Sequence, residues 1–206
     1  MSTFRINSER LLEITLEKEK VLAISGCMVA YIGSMKFEKA ILGGEGLLGA
    51  LKRKVTGEGM SLMTVTGSGT VYCALEAAQL ALVPLAGEKL HVESSGLLAL
   101  DAGLKTDTAF VGLHGAVSGK GLFTTTIEGQ GSVAVLARGE LIALEVSPNN
   151  PLFVDPQAFV GYKGQIQQEF VFDVNWRTMI GETSGESYQL KFTGQGVVFI
   201  QGAERS

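Results

Sequence analysis

One pattern, a strand interrupted by Gly-x-Gly, occurs three times along the chain. The copies are GEGMSLMTVTGSGTVYC at 57–73, GKGLFTTTIEGQGSVAV at 119–135 and GESYQLKFTGQGVVFI at 185–200. Their glycine pairs recur after 62 and 65 residues and are Gly67 and Gly69, Gly129 and Gly131, and Gly194 and Gly196. A period that recurs in phase is typical of a repeated structural unit. We therefore predict a single domain over 1–206 with three pseudo-repeats, at about 1–77, 78–139 and 140–206.

A second, fainter element precedes each copy, as MVAY at 28–31, LLAL at 97–100 and FVGY at 159–162. In these stretches β-branched and aromatic residues alternate with small or polar ones, and turn residues return at short intervals, which is typical of all-β proteins. The chain has 27 glycines and 4 prolines, so it can make many tight turns without being a Pro/Gly-rich disordered chain. The sequence therefore predicts an all-β fold.

Strand alternation also predicts which side chains face the core. Leu90 and Val92 are expected to face inward, and His91 and Glu93 to face water or a neighbouring chain. The runs 133–136 and 197–200 are apolar on both faces, so we expect them to be covered on both sides, in part by another subunit. Residues 46–54 form the one segment with a helical pattern, about two turns long.

We interpret the paired glycines as backbone devices that allow a bulge, a sharp corner or a close approach of another strand. A side chain at Gly69, Gly131 or Gly196 is then expected to clash, so valine at these positions should destabilise the fold. The alternative is that the glycines line a ligand site, in which case valine would spare stability and abolish binding.

Charge and cysteine content narrow the setting of the protein. The formal net charge is −4, and residues 61–206 carry 8 basic and 14 acidic side chains, so we expect no nucleic-acid binding. No apolar stretch approaches the roughly 20 residues of a membrane helix, and the first residues fit neither a secretory signal nor a transit peptide. Cys27 and Cys73 lie in apolar surroundings without CxxC spacing and are predicted to be buried, reduced thiols. We expect a location in the bacterial cytoplasm.

Two glycine-rich motifs resemble cofactor loops. Residues 44–49 match GxGxxG, but no βαβ pattern surrounds them, which a dinucleotide site requires. Residues 115–121 have three residues between the glycines of a phosphate loop instead of four, and a glycine where a magnesium-binding hydroxyl would stand. We therefore predict no cofactor.

Candidate catalytic and metal-binding residues are few. His91 and His114 are the only histidines, which excludes a multi-histidine metal site within one chain. Glu93 and Asp101 near His91 leave a carboxylate-rich site open, although a solvated strand face explains His91 and Glu93 equally well. There is no GxSxG motif, and a pairing of Cys27 with a histidine has no support from spacing. We predict that the protein binds no metal and is not an enzyme.

Two segments are candidates for contact with a partner. The first, before a basic run, could contact an anionic lipid or a protein, or could be a solvated loop end, and comprises Leu47, Leu48, Leu51, Lys52 and Arg53. The second is Trp176, either an interface anchor or a half-buried strand residue.

Residues 43–59, the Gly-x-Gly strands and the segment VDPQAFV at 154–160 resemble the altered inheritance of mitochondria protein 24 family over essentially the whole chain. Gly161 stands where the family pattern has alanine. The resemblance implies a fold like that of the tryptophan RNA-binding attenuation protein, a β-roll or double-stranded β-helix often assembled into trimers or larger rings. It implies no activity and no catalytic residues. The basic array with which that structural relative binds RNA is missing from this acidic chain.

Three classes of function follow, in order of preference. The first is an oligomeric scaffold or protein-interaction protein, a homo-oligomer with an unknown protein partner. The second is a module that binds a small ligand or RNA, and the third is an enzyme. Large apolar surface patches would favour a scaffold, a basic stripe would favour RNA, and a convergent polar pocket would favour an enzyme.

Overall fold

A computed structural model describes residues 2–40, 61–111, 122–172 and 188–202. Within these ranges the chain contains twelve β-strands, one short 3-10 turn at Ser94–Gly96 and no α-helix, so the all-β prediction is confirmed. The described part of the chain contains no helix that could serve as a membrane span. The strands are β1 (Thr3–Ser8), β2 (Leu11–Ile24), β3 (Met28–Lys39), β4 (Leu62–Cys73), β5 (Gln79–Glu93), β6 (Leu97–Asp101), β7 (Lys105–Val111), β8 (Leu122–Ala137), β9 (Leu141–Val146), β10 (Leu152–Val154), β11 (Phe159–Phe172) and β12 (Tyr188–Gln201).

All twelve strands belong to one antiparallel sheet. Along its main path the order is β10-β12-β11-β5-β8-β6-β2-β4-β3, with β1 on β2, β7 on β8 and β9 on β12. A Gly-x-Gly strand is the centre of each of three sets: β4 between β2 and β3, β8 between β5 and β6–β7, and β12 between β9–β10 and β11. Two junctions join the sets, β6 with β2 and β11 with β5.

Each central strand pairs in one common register with the neighbouring strand on one of its sides: β4 with β3, β8 with β6 and β12 with β11. The residue six positions after the first glycine of the pair lies opposite the first residue of the partner strand. In all three pairs the next residue of the partner strand is bulged. These opposed pairs are Cys73 with Met28, Val135 with Leu97, and Ile200 with Phe159, and the bulged residues are Val29, Leu98 and Val160. A bulge increases the local twist, so all three pairs bend at the same place.

Strand β3 turns a sharp corner at Gly33. The rings of Tyr31 and Phe37 lie 5.3 Å apart, although six residues of straight strand would separate them by about 20 Å. Gly33 has a φ of +103° and lies directly opposite Gly69 of β4. Gly164 and Gly196 form the same cross-strand pair between β11 and β12.

The core consists of three clusters of buried apolar side chains. In β2 the residues Leu12, Ile14 and Leu16 alternate with more exposed neighbours, as the sequence pattern predicts for a strand with one buried face. Residues 133–136 are buried on both faces, also as predicted. The largest apolar side chains of the third cluster are Phe159 and Phe192, with rings stacked 5.4 Å apart.

The predicted facing of residues 90–93 is right except at the end of the strand. Leu90 and Val92 are buried, as expected, and His91 is half-buried. Glu93 is buried, so its prediction as a solvated side chain is wrong. The chain leaves the strand here for the 3-10 turn, and the Glu93 carboxylate accepts hydrogen bonds from the backbone N–H of Ser95, at 3.1 Å, and from its hydroxyl.

Candidate functional site

The glycines of the first copy lie against the backbone of β3. A Cβ atom on Gly69 would stand 2.0 Å from the carbonyl oxygen of Ile32, and one on Gly67 would stand 2.1 Å from that of Ser34. Both glycines also have positive φ, +148° and +135°. Only glycine fits such a close approach of two backbones.

The glycines of the third copy are in the same situation against β11. A Cβ atom on Gly194 would stand 2.2 Å from the carbonyl oxygen of Gln165, and one on Gly196 would stand 2.3 Å from that of Lys163. The contacts at both copies are with backbone atoms of the neighbouring strand, which cannot rotate away.

The second copy differs, because the strand opposite its glycines is interrupted between β6 and β7. A Cβ atom on Gly129 would stand 3.2 Å from the side chain of Leu104, and one on Gly131 would stand 2.9 Å from the carboxylate of Asp101. That carboxylate accepts a hydrogen bond of 2.7 Å from the backbone N–H of Ser132 and another from the Ser2 hydroxyl. A side chain therefore takes the place that a backbone strand occupies in the other two sets.

His91 and Tyr162 form the centre of an aromatic cluster at the junction of β5 and β11. Their rings stack with centroids 4.5 Å apart, and His91 Nδ1 shares a hydrogen bond of 3.1 Å with the hydroxyl of Thr126. Burial, and then the charge of Lys89, lower the pKa of His91, while burial raises the pKa of Tyr162. Burial thus favours the neutral form of both rings.

The residues considered for a metal site have different partners. His91 contacts Tyr162 and Thr126, Glu93 binds Ser95, and Asp101 binds Ser132. Among the described residues no group of three or more His, Cys, Asp or Glu side chains could hold a metal ion. His114, Trp176, the segments 44–49 and 115–121 and the predicted helix 46–54 lie outside the described residues.

Cys27 and Cys73 are free thiols, fully buried in the first core cluster, as predicted. A hydrogen bond from the Cys73 thiol lowers the pKa of Cys27, and the same bond together with burial raises the pKa of Cys73. The pair packs at the start of β3 and the end of β4 and is closed to solvent.

A cavity of about 280 Å³ lies where the first and third sets approach the second, and its polar lining includes Glu76, Arg138 and Gln201. The Gln201 amide is already engaged, since it accepts from the backbone N–H of Arg138 at 3.0 Å and donates to the carbonyl of Gln157 at 2.9 Å. The two hydrogen bonds of the Gln201 side chain connect the end of β12 to the backbone at Arg138 and at Gln157.

Among the described residues, the large apolar side chains that are exposed lie at the two ends of the sheet. At the first end, β3 exposes Val29, Tyr31 and Ile32, which are 57%, 49% and 66% accessible. At the other end, Ile142 of β9 and Phe153 of β10 are 38% and 50% accessible. We call these the β3 edge and the β10 edge. Exposed apolar side chains on an edge strand favour contact with another protein surface.

The sequence pattern does not predict the exposure of these five side chains. The proposed contact set of Leu47, Leu48, Leu51, Lys52 and Arg53 lies outside the described residues. The repeated element at 28–31 resembles its counterparts at 97–100 and 159–162, but their strands pair with a neighbouring set, and β3 has no such neighbour among the described residues.

A family model described as mitochondrial biogenesis AIM24 matches residues 4–203. A crystal structure of a Streptococcus pyogenes protein, solved by a structural genomics consortium, is similar over 99% of this chain and 94% of its own. Its TM-score is 0.76 and its sequence identity is 23%, so it supports the fold alone. No curated protein matches the chain.

Proposed function

This chain belongs to the mitochondrial biogenesis AIM24 family, and from this premise we propose that it is a non-enzymatic protein that assembles from several copies and acts as a scaffold or protein-interaction module. The observation that carries the proposal is the position of the exposed apolar residues. Among the residues that the structure describes, they lie at the β3 edge and the β10 edge, where the outer side of the strand is also without a partner strand.

Such edges are unfavourable for a monomer. The free side of an edge strand offers a row of backbone N–H and C=O groups to another chain. Natural proteins usually protect it with charged residues, with proline or with a covering helix or loop. Here Val29, Tyr31 and Ile32 occupy the exposed strand instead. Pairing with another subunit would satisfy the backbone and bury the apolar side chains together.

The architecture proposed for each subunit is a β-roll of three copies of one repeat, like that of the tryptophan RNA-binding attenuation protein. The common register of the three central strands and the bulge at the same position in each pair support this proposal. The strand sets β1–β4, β5–β8 and β9–β12 fall within 1–77, 78–139 and 140–206. The close glycine contacts at Gly69 and Gly196 support a backbone role for the pairs.

The polar side chains that could have suggested catalysis support a structural role. The Asp101 and Glu93 carboxylates accept hydrogen bonds from backbone N–H groups. The His91 imidazole stacks on Tyr162 and is hydrogen-bonded to Thr126. We also propose the bacterial cytoplasm as the location, supported by two buried cysteines that remain thiols.

Light scattering coupled to gel filtration tests the proposal at micromolar concentration. We expect a trimer or a larger ring, with a mass at least three times the 21.8 kDa of one chain. A monomeric mass would overturn the proposal. Filter binding with mixed RNA at low salt is the second measurement, and submicromolar affinity would favour the RNA-binding alternative instead.

A further inference from the structure

The two junctions inside the chain have the same register. Where β6 meets β2 and where β11 meets β5, three residues on each strand are paired, and the middle pair joins two large side chains. The pairs are Val21–Asp101, Leu22–Leu100 and Ala23–Ala99 at the first junction, and Leu90–Lys163, His91–Tyr162 and Val92–Gly161 at the second.

The same positions can be located in every set by counting from the glycines. On β2, β5 and β10, the first residue of the triplet lies opposite the residue two positions before the first glycine of the central strand, which gives Val21, Leu90 and Leu152. On β3, β6 and β11, the triplet begins directly after the bulge, at Ala30, Ala99 and Gly161. Two triplets therefore have no strand on their outer side within the described residues: residues 30–32 of β3, which pair only with β4, and Leu152–Val154, the whole of β10, which pair only with β12.

Burial differs sharply between the paired and unpaired triplets. In the first junction Leu100 is fully buried and Leu22 is 8% exposed, and the stacked rings of His91 and Tyr162 cover each other in the second. Their counterparts at the ends of the sheet, Tyr31 and Phe153, are about half exposed.

The bulged residues show the same contrast. Leu98 and Val160 are buried beside the internal junctions, whereas their counterpart Val29 is exposed. The apolar character of this position is thus kept in the one set where nothing in the described chain covers it. A strand paired with β3, as at the two internal junctions, would cover Val29 in the way that Leu98 and Val160 are covered.

We propose that residues 30–32 of one copy pair, antiparallel, with Leu152–Val154 of a second copy, in the register that places Tyr31 opposite Phe153. This rests on the proposed assembly and names its interface. Ala30 then lies opposite Val154 and Ile32 opposite Leu152. The occupant of each edge is a second copy of this chain because the two edges are the two halves of a junction that the chain already makes twice.

An interface between two different edges has a testable consequence. It joins copies head to tail, so that every copy contributes one β3 edge and one β10 edge, and the assembly is a closed ring or an open filament. Cross-strand aromatic pairs such as Tyr31 and Phe153 stabilise antiparallel strands, and the backbone hydrogen bonds continue the sheet from one copy to the next.

The experiment uses two full-length variants, Tyr31→Glu and Phe153→Glu, each of which disables one edge with a charge. We expect each variant alone to have a mass of 21.8 kDa, and their mixture to form a dimer of twice that mass, because the intact β10 edge of the first meets the intact β3 edge of the second. Ser34→Glu is the matched control: Ser34 is exposed on the same strand but outside the triplet, so this variant should keep the parent mass. Circular dichroism confirms that all three proteins are folded.

The other outcomes separate this inference from the proposed function. A monomeric parent overturns both. If the parent is an oligomer and both variants remain oligomeric, the proposed function stands and the interface is wrong. If Tyr31→Glu alone dissociates the oligomer and mixing restores nothing, β3 pairs with β3, and the head-to-tail inference is overturned.

Cysteine substitutions test the register independently of the glutamate variants. Directly opposed residues of antiparallel strands are close enough for a disulfide, whereas neighbouring residues point to opposite faces. Mixing Tyr31→Cys with Phe153→Cys under mild oxidation should give one covalent dimer, and neither variant alone should. Mixing Tyr31→Cys with Leu152→Cys is the control. More cross-linking in the control pair than in the test pair would overturn the register.

Discussion

Tyr162 lies directly opposite His91 across the junction of β11 and β5, and the two rings stack with centroids 4.5 Å apart and an angle of 16° between their planes. This stack joins the third strand set to the second. Because the imidazole is half-buried between Tyr162 and Thr126, its charged form is disfavoured in the folded protein.

The lowered pKa of His91 predicts a pH dependence of stability. A histidine whose folded pKa lies below its unfolded value of 6.5 gives its full contribution above that pH, and the contribution is lost as the pH falls below it. We expect the free energy of unfolding in urea to decrease more between about pH 7.5 and 5.5 in the parent than in His91→Phe, which keeps the stack without the charge. His114 is present in both proteins, so its contribution cancels. Equal losses in the two proteins would contradict the prediction.

The fold class followed from local sequence, but the exposure of the edges did not. The segments 28–31, 97–100 and 159–162 have similar sequences because each contains the bulged residue in the same register with its central strand. Their different burial depends on whether a preceding set supplies a partner strand. The presence of such a partner strand depends on where the set lies in the sheet, and a local pattern of apolar residues carries no information about it.

Glu93 shows a second limit of local pattern. Alternation predicts the facing of a side chain only while the strand continues, and here β5 ends at this residue. The hydrogen bonds to Ser95 that hold the carboxylate belong to the following turn. Proximity in sequence places Asp101 near His91, but its carboxylate accepts hydrogen bonds from Ser132 and Ser2, and the pairing of β6 with β8 brings Ser132 to it.

Gly69→Ala is expected to lower the free energy of unfolding by at least about 2 kcal/mol, or Tm by roughly 4–8 °C. The new methyl group would lie 2.0 Å from the Ile32 carbonyl oxygen at a φ of +148°. Gly103→Ala is the control, because a Cβ there meets nothing within 4 Å. Melts followed by circular dichroism compare the two, and equal shifts would show that the close approach is unimportant.

Asp101→Ala should destabilise the fold by about 1–3 kcal/mol, because the Ser132 N–H would lose its acceptor. Asp107→Ala removes a carboxylate from an exposed position on β7 and is expected to change stability by less than about 0.5 kcal/mol. Urea unfolding of both variants measures the difference. If Asp101→Ala is as stable as Asp107→Ala, the carboxylate does not replace the missing strand at this position.

The two thiols should resist alkylation in the folded protein. Cys27 and Cys73 are fully buried, so iodoacetamide can reach them only when the core opens. We expect mass spectrometry to find no modification of the native protein on the time scale on which the urea-unfolded protein acquires two labels. Rapid labelling of the native protein at either position would contradict the buried placement of the pair.

Phe192 and Phe153 lie close together in the sheet but differ in burial. Phe192 is fully buried and stacks on Phe159, so Phe192→Ala should cost about 3–5 kcal/mol of unfolding free energy. Phe153 is half exposed on β10, opposite Lys191, and Phe153→Ala should change the stability of the single chain by less than about 0.5 kcal/mol. Its effect is expected in assembly, as a weaker dependence of the urea midpoint on protein concentration than the parent shows. A loss of several kcal/mol that is independent of concentration would place Phe153 in the core of the subunit and contradict its assignment to an interface.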